Sequence, residues 1–107
     1  MSTYAIANLR HVVMGAAIAQ YLHRIDATLA PFGGKFRVHG GQAEVLEGDW
    51  SGDLIIIEFA DRQSARGWYA SRAYQKILPL RTEHSEGDVI FIDGVSEDHR
   101  ADDLLSA

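Results

Sequence analysis

The chain contains no cysteine, so it cannot form disulfide bonds, thiolate metal ligands or a cysteine nucleophile. Its five histidines do not stand at the spacings of a metal site. The sequence also lacks the glycine-rich loop that cradles phosphate groups and the nucleophile-elbow motif around a reactive serine. We therefore expect a protein that uses neither a metal nor an organic cofactor.

Positive charge and long apolar runs are also scarce. The ten Lys and Arg residues are scattered and the net charge is −5, which argues against a generic DNA or RNA binder. No apolar run approaches the roughly 20 residues that a membrane span needs, and the first residues lack the pattern of a secretory signal. We expect a cytoplasmic protein with no nucleic-acid partner and no membrane partner.

The 107 residues are 47% apolar, which suffices for one domain with its own core. Alternating and helical spacings of apolar residues predict four strands and two helical regions in the order βαββαβ. In chain order, these elements are expected at residues 4–12, 16–30, 35–47, 53–59, 62–81 and 89–95. The second strand is expected to bulge at Gly40-Gly41, and the second helical region to divide at Ser71 and to kink or restart near Pro79.

This order is that of the α+β, ferredoxin-like fold, an antiparallel sheet with both helical regions on one face. The strands at 4–12, 53–59 and 89–95 are nevertheless apolar on both faces, and one layer of helices covers only one of them. Face-to-face packing of two sheets in a homodimer would cover the other. The single domain would span residues 1–95, followed by an acidic, mobile tail at 96–107.

An aromatic-rich segment before the last strand supplies most of the candidate ligand pocket. The side chains that would line a pocket for an apolar ligand are Asn8, Trp50, Trp68, Tyr69, Ser71 and Tyr74. Aromatic residues also fill ordinary cores; this alternative is favoured for Trp68 and is balanced for Tyr69 and Tyr74. Ser71 is better suited to cap a helix than to act as a nucleophile, because the sequence places no base beside it.

Glu47 and Arg81 are the candidate catalytic pair. Glu47 stands near a strand end before a glycine turn, where a carboxylate in a partly apolar pocket can act as a general acid or base. Arg81 can hold a substrate carboxylate with its planar guanidinium group. The alternative, a purely structural ion pair between Glu47 and Arg81, is favoured over the catalytic interpretation because such pairs are common at strand ends.

Several short runs occur together in this sequence: Phe32-Gly33-Gly34, residues 44–50, Ile57-Glu58-Phe59, Trp68-Tyr69, Ser71, Tyr74-Gln75 and Pro79-Leu80-Arg81. In combination they resemble the domain of unknown function 1330 (DUF1330) family, across nearly the whole chain up to Val95. The resemblance implies a dimeric α/β barrel of ferredoxin-like subunits. It also implies kinship with small monooxygenases, isomerases and haem-degrading enzymes, but no particular reaction.

The haem-degrading relatives use an Asn on the first strand, a Trp and a helical His. Asn8 and Trp68 stand at suitable positions, but Ile77 occupies the middle of the helix after Trp68, and no His follows before His84. Haem degradation is therefore not expected from the resemblance.

These observations leave three hypotheses for the function. The first is a metal-independent enzyme, or enzyme-like protein, that acts on a small and largely apolar molecule in a pocket between the helices and the sheet. The second is a non-catalytic dimer that binds a small ligand or takes part in a stress response. The third is a structural dimerisation module, which would have no internal cavity.

Overall fold

The computed structural model describes residues 1–106, and its centre is a four-stranded antiparallel sheet. The strands are β1 (Thr3–Arg10), β2 (Lys35–Val38), β3 (Asp53–Phe59) and β4 (Glu86–Asp93), in the spatial order β2-β3-β1-β4. Ala5 of β1 lies opposite Ile57 of β3 and Phe91 of β4. This topology confirms the predicted ferredoxin-like fold.

Three α-helices connect the strands: α1 (Ala16–Leu29), α2 (Arg62–Ala70) and α3 (Arg72–Thr82). A short 3-10 helix, Ala30–Phe32, extends α1 and ends at Gly33, whose φ of 69° lies in the left-handed region that glycine tolerates. A second 3-10 helix, Ala101–Ser106, lies in the C-terminal tail with exposed side chains. The mobility of that tail stays a prediction, and Ala107 lies outside the described residues.

Side-chain caps divide the second helical region where the sequence predicts. The Asp61 carboxylate accepts a hydrogen bond from the Ser64 N–H at 2.7 Å and begins α2. The Ser71 hydroxyl accepts from the Tyr74 N–H at 3.2 Å and donates to the Trp68 carbonyl at 2.6 Å, so that it ends α2 and begins α3. The predicted capping role of Ser71 is therefore the one that the structure shows.

Pro79 does not end its helix, because α3 continues through it to Thr82. Proline lacks the N–H that would pair with the Gln75 carbonyl. Gln75 and Pro79 are both exposed, so that water can reach the carbonyl group left without a helical donor.

The predicted second strand is too long. β2 ends at Val38, and residues 39–52, called the arm below, form no regular secondary structure and are exposed. The pairing of β2 with β3 is already irregular between Phe36 and Val38, and β3 begins only at Asp53. The arm therefore has no neighbouring strand with which to pair, and an unpaired strand is not stable on its own.

The ends of β1 and β4 also differ from the prediction. β1 ends at Arg10 because His11 has a φ of 53°, which interrupts the extended backbone. β4 begins at Glu86, before the predicted start at residue 89, because β1 is long enough to pair with it. Gly87 permits this pairing, since a Cβ atom there would overlap the Asn8 carbonyl oxygen.

The two faces of the sheet have different environments. On the helix-covered face, the core includes Phe59 and Ile77, which are fully buried. It also includes Trp68, whose ring centroid lies 4.1 Å from that of Tyr74. On the other face, Ile90 and Ile92 of β4 are 51% and 48% exposed. Strand alternation places the following residues on this open sheet face: Tyr4, Ile6, Leu54, Ile56, Ile90 and Ile92.

Replacing Ser71 by Ala should lower the free energy of unfolding by about 1 kcal/mol, because the first turn of α3 loses its cap. Ser71→Asn should restore most of this loss, since an Asn side chain also accepts the N–H hydrogen bond. Urea unfolding followed by circular dichroism measures both variants. Equal destabilisation by Ala and Asn would show that the cap does not carry the effect.

Candidate active site

A cavity of about 310 Å³ lies between α1 and the helix-covered face of the sheet. Helix α1 packs alongside α3, and its backbone approaches the strands less closely, so a gap remains beneath it. The walls are mainly apolar, as is typical of sites for small organic molecules. The lining includes Ala5, Ala7 and Leu9 of β1, Ile18 and Ile25 of α1, Phe36 of β2, Ile55 and Ile57 of β3, and Val89 of β4.

Small side chains on β1 provide part of this space. Ala5 and Ala7 occupy the centre of the sheet, opposite Ile57 and Ile55 of β3. A larger residue at either position would extend into the gap below α1. The cavity thus depends on two alanines in the most central strand.

Tyr21, Tyr74 and Arg81 form a polar corner in this apolar cavity. The hydroxyl groups of Tyr21 and Tyr74, on α1 and α3, lie 2.8 Å apart and share a hydrogen bond. The guanidinium carbon of Arg81 lies 5.9 Å from the centroid of the Tyr21 ring, within the range of a cation–π contact. Because Arg81 follows Tyr74 by seven residues, both side chains share one face of α3.

The electrostatics of the polar corner favour a neutral Tyr21 beside a charged Arg81. Burial raises the pKa of Tyr21 far above its ordinary value, and the neighbouring Tyr74 phenol raises it further. Tyr21 is therefore a hydrogen-bond donor or acceptor rather than a phenolate base. Within residues 1–106, Arg81 forms no ion pair with a carboxylate.

Two further polar residues line the cavity where β2 ends and β3 begins. The His39 ring stacks on the Phe36 ring, with centroids 4.4 Å apart and planes inclined by 15°. Asp53 begins β3. Met14, which is largely exposed, lies in the same lining and marks the side of the cavity that opens to solvent.

The structure brings three of the predicted site residues to this cavity: Trp68, Tyr74 and Arg81. Trp68 belongs to the hydrophobic core and also lines the cavity. Its Nε1 donates a hydrogen bond to the Thr28 hydroxyl at 3.0 Å. Tyr69 packs against Phe91 outside the lining, with ring centroids 6.2 Å apart.

The other predicted site residues lie elsewhere. Glu47 and Trp50 are in the exposed arm, and Glu47 forms no ion pair with Arg81 in the part of the chain that the structure describes. Asn8 lies on the opposite face of β1 from Ala7, and its Oδ1 atom is buried without a hydrogen-bond partner among residues 1–106. The predicted roles of Glu47 and Asn8 therefore have no support from proximity to the cavity.

Sequence reasoning missed Tyr21 and His39. The spacing of Ile18, Leu22, Ile25 and Leu29 predicts an apolar stripe on α1 that includes Leu22. Leu22 is nevertheless 41% exposed, and Tyr21 is buried. The spacing from Ile18 through Tyr21 to Ile25, three and then four residues, is the signal that identifies Tyr21. His39 gives no comparable signal, because its position depends on where β2 ends.

A sequence model of the DUF1330 family, described only as a domain of unknown function, matches residues 2–95. The chain belongs to this family. No curated protein matches the sequence. Among residues 1–106, no helix of this DUF1330 protein combines the length and apolar character needed to cross a membrane.

Solved structures with the same fold share little sequence with this DUF1330 protein. A dimeric ferredoxin-like protein of unknown function from Jannaschia has a TM-score of 0.69 at 10% identity, covering 88% of this chain and 100% of its own. A protein of unknown function from Rhodopseudomonas palustris has a TM-score of 0.67 at 15% identity, and the match covers 89% of this chain and 83% of that protein. SnoaB, a cofactor-independent oxygenase from Streptomyces nogalater, has a TM-score of 0.60 at 13% identity, covering 92% and 98%. At these identities, the similarity concerns the fold alone.

Tyr21→Phe should lower the free energy of unfolding by about 1 kcal/mol at neutral pH, because the Tyr74 hydroxyl loses its buried partner. It should also weaken the alkaline loss of stability. Since the pKa of Tyr21 is raised in the folded state, this tyrosine ionises first in the unfolded chain, and its contribution to stability falls as pH rises above about 10.

Urea unfolding of wild type and Tyr21→Phe between about pH 8 and pH 11 tests both effects. The difference in stability between the two proteins should shrink as pH rises. A difference that stays constant across this range would contradict the burial of a neutral Tyr21.

Proposed function

We propose that this DUF1330 protein binds a small, largely apolar molecule in the cavity beneath α1 and acts on it as a metal-independent enzyme. The cavity itself carries the proposal, because an apolar gap with one convergent polar corner is the usual form of a small-molecule site. A pure dimerisation module would have no need for it. The volume is at the lower end of the range of roughly 300 to 1,000 Å³ found for such sites, which favours a small ligand.

The polar corner favours catalysis over ligand binding without turnover. A neutral hydroxyl pair and a positive charge, fixed in mainly apolar surroundings, can stabilise negative charge that develops on a substrate oxygen. Such stabilisation needs no metal. The similar fold of a cofactor-independent oxygenase is consistent with this chemistry, although that relative shares only 13% identity.

A binding protein without turnover is the second candidate. It is favoured by the position of Glu47, the residue predicted as the acid or base, in the exposed arm and outside the cavity lining. Outside the polar corner, the groups of that lining that can transfer a proton are His39 and Asp53. Detection of turned-over product, as opposed to unchanged ligand, separates the two candidates.

We also propose that the protein is a homodimer joined through the open sheet face. Ile6 of β1 lies opposite Ile56 and Ile90, so these side chains form a continuous apolar row across the sheet. Contiguous apolar surface of this kind marks association sites on soluble proteins. The similar protein from Jannaschia is described as dimeric, which supports the same assembly for this chain.

Native mass spectrometry of the protein, purified gently from the organism that makes it, should detect a small bound molecule. Ala7→Phe should abolish this extra mass, because the larger side chain fills the cavity. Ala19→Phe is the matched control: Ala19 lies exposed on α1 and outside the cavity lining, so the ligand should remain.

An extra mass that survives Ala7→Phe would place the ligand elsewhere and contradict the cavity as its site. Thermal unfolding of both variants tests whether they are folded. The cost of an overpacked side chain is about 1 to 3 kcal/mol in a filled core, and it should be smaller here, where space is present.

Ile90→Lys should convert the dimer into a monomer, because a charge would be placed in the centre of the buried interface. Val13→Lys is the control, since Val13 is also exposed but lies in the loop after β1. Light scattering coupled to size-exclusion chromatography gives the mass of each variant. A dimer that persists in Ile90→Lys would exclude the open sheet face as the interface.

A further inference from the structure

We propose that the ligand of the cavity is an apolar monocarboxylate, whose carboxylate group is bound by Arg81 and the Tyr21–Tyr74 hydroxyl pair. This inference rests on the proposed function, since it specifies the molecule that the same cavity would take. Three features of the polar corner and its surroundings support it: a cation without a carboxylate partner among residues 1–106, a free hydroxyl proton and a single anion-binding position.

Arg81 supplies the cation. Its side chain is partly buried against the Tyr21 ring, and no carboxylate of residues 1–106 forms an ion pair with it. Removing a charge from water is costly unless an opposite charge or hydrogen bonds replace the lost solvent. A ligand carboxylate would supply both, and the planar guanidinium group matches it with two parallel hydrogen bonds.

The tyrosine pair supplies a hydroxyl proton. Two hydroxyl groups contain two protons, and the single hydrogen bond between Tyr21 and Tyr74 uses one of them. The other proton remains available for an acceptor. Because burial and the Tyr74 phenol raise the pKa of Tyr21, this tyrosine keeps its proton at physiological pH. The pair therefore suits an anionic oxygen better than a hydrogen-bond donor.

The rest of the lining limits the ligand to one carboxylate on an apolar body. Arg81 is the one arginine in the lining, and no lysine is present there. The other charged or titratable groups are His39 and Asp53, and the Asp53 carboxylate would repel a second anionic group. The remaining walls are aliphatic or aromatic. Ala5 and Ala7 leave space above β1 for the apolar body of the ligand.

The test compares acids with their neutral amides: benzoate with benzamide, cinnamate with cinnamamide, and 1-naphthoate with 1-naphthamide. Isothermal titration calorimetry at neutral pH measures each affinity for the wild-type protein. At least one acid should bind about tenfold or more tightly than its amide, because hydrogen bonds to a charged group contribute more than neutral ones.

Three variants assign this preference to residues. Arg81→Met should reduce the affinity for that acid by about tenfold or more, while changing the affinity for the amide little. Arg72→Met is the matched control, because Arg72 begins the same helix but is exposed and outside the lining. Tyr21→Phe should reduce the preference for the acid by a smaller factor, since Arg81 remains.

The outcomes separate this inference from the proposed function. If acid and amide bind equally and Ala7→Phe abolishes the binding of both, the ligand is not recognised by its carboxylate. The cavity would then remain the binding site. A preference for the acid that persists in Arg81→Met would overturn the role of Arg81. If no acid and no amide binds, and native mass spectrometry finds no retained molecule, both the inference and the proposed function are wrong.

Discussion

The attachment of α1 to the other two helices determines whether this protein has a cavity. Two buried hydrogen bonds hold it in place, from Trp68 Nε1 to the Thr28 hydroxyl and between the hydroxyls of Tyr21 and Tyr74. Buried polar groups favour such pairing strongly, because a lost partner leaves an unsatisfied donor or acceptor. Since α1 is bound sideways to α2 and α3, it does not need to collapse onto the sheet, and the alanines of β1 leave the gap open.

The same attachment gives the cavity its chemistry. Tyr21 and Tyr74 both hold the helices together and face the apolar space, so one interaction is structural and functional at once. Ser71 contributes indirectly, because its hydroxyl fixes the first turn of α3 at the Tyr74 N–H. The positions of the Tyr21 and Tyr74 hydroxyls are therefore fixed by the packing of the helices that carry them. A site placed on packed helices retains its geometry better than one placed on a loop.

Much of the architecture follows from the sequence because it depends on local patterns. The apolar run within 53–59, the division of the second helical region at Ser71, and the order of elements predict the ferredoxin-like fold that the structure confirms. Strand length is different, since it depends on a partner that the pattern does not reveal. Residues 39–47 are therefore predicted as strand although they form none, and the expected meeting of Glu47 with Arg81 does not occur. Tyr21 is missed because its neighbour Leu22 also fits the apolar spacing of α1, although Leu22 is exposed and Tyr21 is buried.

The two tryptophans of this chain lie in contrasting environments. Trp68 is buried in the cavity wall, in contact with the rings of Phe59 and Tyr74, whereas Trp50 stands in the exposed arm. Their indole fluorescence should differ in emission wavelength, with the buried ring emitting towards the blue. A molecule entering the cavity would touch one chromophore and not the other. The fluorescence of Trp68 thus reports on the occupancy of the cavity. In a Trp50→Phe variant, Trp68 would be the only tryptophan that contributes to the signal.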